Sequence, residues 1–134
     1  MAEPQLRGAW DGSGVAELLG WKIVEEQAGL VRAEFQAKEA FVNPKGAIAG
    51  GILAAMLDMI ISAAVRSSLQ ANQSPRATLE MKVNFIGPAQ VGTIAGLGKI
   101  VHAGRSIAFA EGSLSSPDGT LIATGSATMR IYTE

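Results

Sequence analysis

Hydrophobic and polar positions along this chain fall into three regimes. From Trp21 to Ala37, two strand-like runs, WKIVEEQ and GLVRAEFQA, meet at Ala28-Gly29, a tight-turn signal. From Ala47 to Val65 the chain is apolar almost without interruption, which predicts a long helix from Ala49 or Gly50 to Leu69, ended by the polar loop QANQSP. After Pro75 the period drops to two: in TLEMKVNF, Leu79, Met81, Val83 and Phe85 alternate with Thr78, Glu80, Lys82 and Asn84. That alternation predicts a half-buried strand closed by Gly87-Pro88. Three more strands follow, VGTIAGLGKIV, RSIAFAEGSLS and LIATGSATMRIY, separated by Ala103-Gly104 and by the turn sequence SPDG. A short helix is expected at Val15 to Gly20, and a loop at Phe41 to Gly46, where Asn43-Pro44 forces extended backbone.

A helix this apolar must be covered nearly all round. Four strands in a meander would supply the cover, with Gly92, Gly96 and Gly98 marking bends or close backbone approach. Asp58 stands against the pattern. It is the only charged residue among the nineteen from Ala47 to Val65, and an ionised carboxylate without partners in an apolar core costs several kcal/mol or shifts its pKa. The run is nearly long enough to span a bilayer. Its two glycines, the central Asp58 (about 2.5–3.5 kcal/mol at a bilayer centre) and its flanking strands instead make it a core helix.

Composition narrows the chemistry. The chain has 134 residues, enough for one domain, expected to cover 1–134 with 1–19 as an extension or short helix. A hydrophobic share of 48% against 17% charged, with mean hydropathy +0.24, points to apolar surface used between subunits. A net charge of −1 without a basic block argues against nucleic acid. No cysteine is present, which excludes disulfides, thiolate catalysis and cysteine-bound zinc, and the single histidine, His102, excludes multi-histidine metal sites. MAEPQLRGAW lacks a basic segment followed by an apolar one, so it is not read as a signal peptide, and the cytoplasm is the expected compartment.

The spacing Asn-x(6)-Gly-Gly-x(6)-Asp, filled by Asn43, Gly50, Gly51 and Asp58, resembles the active-site segment of hot-dog-fold acyl-CoA thioesterases. The stretch from Thr78 to Ala127, including Gly104-Arg105, is similar to the phenylacetyl-CoA thioesterase branch, and the likeness runs from about Gly20 to Ile131. The resemblance implies an α+β hot-dog fold, in which a curved, mainly antiparallel sheet of five to six strands wraps a central helix. It also implies hydrolysis of a small acyl- or aryl-acyl-CoA, no cofactor beyond the coenzyme A of the substrate, and a homodimer, often paired again into a homotetramer. The site then lies between subunits, with Asn43 and Gly50 from one chain and Asp58 from the other. Asn43 would position the thioester and the Gly50 N–H would polarise its carbonyl. Asp58 would act as general base or nucleophile.

The chemistry agrees independently, since an N–H at a helix N-terminus is an unsatisfied donor reinforced by the macrodipole. Removing one such oxyanion donor costs about 10²–10³ in rate. Gly51, Ser62, Arg76 and Arg105 complete the substrate-binding candidates, the arginines as partners for phosphate. Each has a plainer reading: Ser62 bonding back to its own helix, Arg105 as a surface residue, Arg76 as a partner for Asp58, Asn43 as a turn residue, Met56 and Met59 as core. One position departs from the family: Ala49 stands where a histidine commonly precedes the glycine pair. An acyl-CoA-binding protein with weak or no hydrolysis is therefore the alternative. A hot-dog hydratase would need a catalytic histidine, and His102 sits at a strand-turn corner.

Overall fold

Both expected helices form. In a computed structural model describing residues 10–134, the order is α1 (Gly14–Leu19), β1 (Lys22–Gln27), β2 (Leu30–Ala37), a 3-10 turn (Glu39–Phe41), α2 (Gly50–Ser67), β3 (Gln73–Phe85), β4 (Gly92–Ala103), β5 (Ile107–Ser115) and β6 (Leu121–Thr133). Of the stretch 1–19, residues 1–9 lie outside the described residues. Ser13 caps α1 by accepting the Ala16 N–H, and Gly20 ends it in the left-handed region at φ 67.

The six strands make one antiparallel sheet in the order β1-β2-β4-β5-β6-β3. This corrects the expected four-strand meander. Only β4, β5 and β6 run as one; β3 lies beyond β6, three places from β4. The reason lies in β3 itself. It begins at Gln73, inside what reads as a polar loop, and includes Pro75, which lacks a ladder donor and suits an edge. Its apolar residues are also poorly covered: Leu79 and Phe85 are 54% and 57% exposed. Residues 86–91 return the chain to β4 across the start of α2, where the Ala89 carbonyl accepts the Ile48 N–H at 2.9 Å.

α2 lies in the curve of this sheet. Met56, Leu57, Ile60, Ile61, Ala64 and Val65 are buried, facing sheet residues such as Phe35, Ile94, Leu114 and Met129. Half of the helix is buried within the fold, so its length and apolarity serve a core. Met56 and Met59 are core residues, and Trp21 packs on Phe35 with ring centroids 5.4 Å apart. The helix approaches the sheet backbone closely. A Cβ at Gly98 would overlap the Ile60 carbonyl oxygen, and one at Gly112 would come within 2.8 Å of the Ile61 side chain. Glycine is used in this seat for its lack of bulk.

Candidate active site

The covered face of α2 leaves one stripe, Asp58, Ser62 and Arg66, looking out at four-residue spacing. All three are half-buried and line a cavity of about 340 Å³, walled by Trp10, Met129 and the start of β3. Asp58 is therefore not stranded in the core. Its Oδ1 accepts a hydrogen bond from the Thr78 hydroxyl at 2.7 Å. The β3–β6 register shifts between Thr78 and Glu80, which breaks the strict alternation beside this contact.

Ser62 has its hydroxyl engaged. It donates to the Met59 carbonyl at 3.1 Å and accepts the Trp10 indole N–H at 3.1 Å. Arg66 loses water to its surroundings, and burial pulls its pKa below the ordinary guanidinium value. Arg76 lies on the rim, its guanidinium 4.2 Å from the centre of the Tyr132 ring. Arg105 is exposed at the β4–β5 turn and does not line this cavity.

At the other end of α2 the backbone dominates. Ala49 is the N-cap and offers no side-chain cap. Its carbonyl accepts the N–H groups of Ile52 and Leu53, leaving those of Gly50 and Gly51 ahead of the first helical acceptor. A Cβ on Gly50 would meet the Phe85 ring at 3.3 Å, whereas one on Gly51 would meet nothing within 4 Å. Asn43 organises the loop leading in: its Oδ1 accepts the Lys45 N–H at 2.9 Å and the Ala47 N–H at 3.2 Å. Among the described residues, none accepts from its side-chain amide N–H groups.

The structure thus brings Asp58, Ser62 and Arg76 to one cavity and Asn43, Gly50 and Gly51 to one corner. It does not bring the two groups together. Eight helical steps lead from Gly50 to Asp58, a rise of about 12 Å, too far for both to act on one carbonyl in one chain. A wider cavity, about 850 Å³ between α1 and β1, contains none of the candidate residues. Thr78, Arg66 and Phe85 were not singled out by the sequence. Thr78 reads as one more solvent-facing residue of an alternating strand, and only the register shift gives it its contact.

A profile of the thioesterase superfamily matches residues 45–123, from the Asn43 loop through α2 and into β6. The chain belongs to the thioesterase superfamily. Among solved structures, this thioesterase is 36% identical to a phenylacetic acid degradation-related protein from Ralstonia eutropha JMP134, with a TM-score of 0.86 over 95% of this chain and 96% of that one. It is 26% identical to a thioesterase family protein from Silicibacter pomeroyi, with a TM-score of 0.90 over 98% of each chain. It is also 29% identical to acyl-coenzyme A thioesterase 13 of Mus musculus, over 79% of this chain and 81% of that protein. The six-stranded sheet around α2 is the hot-dog fold of these relatives.

Proposed function

We propose that this thioesterase hydrolyses an acyl-coenzyme A to the free acid and coenzyme A, in the cytoplasm and without an added cofactor. Asp58 is the acidic catalytic residue. The observation that carries the reading is a half-buried carboxylate on a cavity wall, held through Oδ1 by Thr78 so that Oδ2 remains for chemistry. The Gly50 N–H, at the positive end of the α2 dipole, polarises the thioester carbonyl and holds the oxyanion that forms on attack. Asn43 positions the substrate through its amide N–H groups.

As general base, Asp58 takes a proton from water as the water oxygen attacks the acyl carbon. The tetrahedral oxyanion then collapses, and the thiolate of coenzyme A leaves with the proton returned to it. As nucleophile, Asp58 attacks the acyl carbon and expels the coenzyme A thiolate, leaving a mixed anhydride that water opens to the free acid and the regenerated Asp58 carboxylate, with the water's proton taken up by the thiolate. Single-turnover hydrolysis in oxygen-18 water separates the two, since only the anhydride route carries a protein oxygen into the first product. The roughly 12 Å between Gly50 and Asp58 within a chain supports a site completed by a second copy.

The deciding experiment measures free thiol from short, branched, long and aromatic acyl-CoA esters. Wild type releases it, and Asp58→Asn abolishes release; a variant at wild-type rate removes Asp58 from its role. Ala49 favours a second reading, because the helix start has no side-chain cap where the family often has histidine. On that reading, calorimetry finds tight binding of the ester with turnover near background, and Ala49→His raises the rate.

A further inference from the structure

One wall of the Asp58 cavity comes from far away in the chain. Trp10 lies 52 positions before Ser62, and its indole N–H donates to the Ser62 hydroxyl at 3.1 Å. The main chain of Trp10 is held as well. Its carbonyl accepts the Ser13 N–H at 3.0 Å and the Ser13 hydroxyl at 2.7 Å. Ser13 in turn caps α1, whose Ala16 and Leu19 are buried in the core. The indole is thus anchored through both its ring nitrogen and its backbone, packed against the core and lining the cavity. A tryptophan has only two side-chain torsions, so a ring pinned in this way is a rigid wall.

Ser62 sits one turn beyond Asp58 along α2, a rise of about 6 Å. Its single proton goes to the Met59 carbonyl, and the indole N–H takes a lone pair. A group reaching from Asp58 past Ser62 therefore meets the Trp10 ring. A thioester at Asp58 has two arms, one acyl and one pantetheine. A cavity of about 340 Å³ is at the small end for organic ligands, far short of coenzyme A. The pantetheine arm must lead outward, and the acyl arm is the one that enters. About 6 Å leaves room for a zigzag of roughly four carbon–carbon bonds.

We infer that Trp10 is the specificity-determining residue for acyl length, ending the acyl site about one helical turn from Asp58. The substrates are then short acyl-CoA esters, of roughly four to six carbons, and longer chains are turned away by the indole. This rests on the reading of Asp58 given above, and the test separates the two.

Thiol release is measured for butyryl-, hexanoyl- and decanoyl-CoA. Wild type favours hexanoyl- over decanoyl-CoA in kcat/KM by about 10–100-fold, the range of a size mismatch in an enzyme pocket. Trp10→Ala raises the decanoyl-CoA rate and narrows that ratio about tenfold, without a matching rise for butyryl-CoA. Should Trp10→Ala not fold, Ser62→Ala keeps the indole but removes its hydrogen-bond acceptor, and narrows the same ratio. A Trp10→Ala variant that slows all three esters equally has a structural role only, and one that raises KM equally for all three touches the pantetheine arm. Either result, or Asp58-dependent hydrolysis with no preference for short chains, overturns this inference alone. Hydrolysis that survives Asp58→Asn, or none on any ester, overturns the reading of the site as well.

Discussion

The Thr78 hydroxyl holds Asp58 Oδ1, so on the proposed role of Asp58 the removal of Thr78 should register in turnover before stability. Thr78→Val, at an exposed strand position, is expected to lower kcat by about 10–100-fold through loss of a fixed base orientation. Thr78→Ser restores most of the rate, and thermal melts of all three proteins nearly coincide. A Thr78→Val enzyme at full kcat would detach the hydroxyl from the chemistry. At this scale the sequence was partly readable. Asp58 stood out because a charge in an apolar run demands an explanation, and its hydrogen-bonding neighbour supplies part of one. Asn43 and Ser62 were ambiguous between ligand and backbone roles. Asn43 Oδ1 and the Ser62 hydroxyl in fact serve the protein, one the loop and the other Trp10. Arg66 was invisible, because no spacing rule shows that a helix-end arginine shares a cavity with the carboxylate two turns before it.

Helices and strands are where periodicity speaks most clearly, and here α2 and all six strands were legible in outline. What was not legible is which strand lies beside which. A period-two pattern gives a strand's face but not its neighbours, and Pro75 was the one hint that β3 is an edge. The same elements yield stability predictions. Gly98→Ala pushes a methyl group into the Ile60 carbonyl and should destabilise by about 1–3 kcal/mol in urea unfolding. Gly51→Ala, with open space around the new methyl, should stabilise by up to about 0.5–1 kcal/mol. The β5–β6 turn gives a pH test. Asp118 accepts hydrogen bonds from the Ser116 hydroxyl and the Thr120 N–H, which hold its pKa near 2 instead of 3.8. A depressed carboxylate stabilises the fold above its unfolded pKa and loses that contribution as pH falls through the folded value. The stability gap between wild type and Asp118→Asn should therefore be full at pH 5, shrink as pH falls through about 4 to 2, and close only below the folded pKa, by about pH 1.

For the molecule as a whole, the distance between the two groups of candidate residues and the edge of β3, unpaired among the described residues, carry the same message. Leu79, Phe85, Ile86 and Val91 are exposed along or beside that edge, more apolar surface than a lone strand edge tolerates well. Light scattering should return at least twice 13.9 kDa. Mixing gives a sharper check. Chains with Asp58→Asn and chains with Asn43→Ala are each impaired alone. A random mixture should recover about a quarter of wild-type activity, because half the dimers are hybrid and each keeps one intact site of two. A mixture no faster than its components would confine the site to one chain. The glycine seat under α2 has a further bearing on how such an enzyme diversifies. Because Gly98 and Gly112 meet the helix through main chain and tight contacts, that side admits almost no variation without displacing the axis. Exchange of side chains is thereby steered to the opposite stripe of Asp58, Ser62 and Arg66, which faces a cavity instead of the sheet.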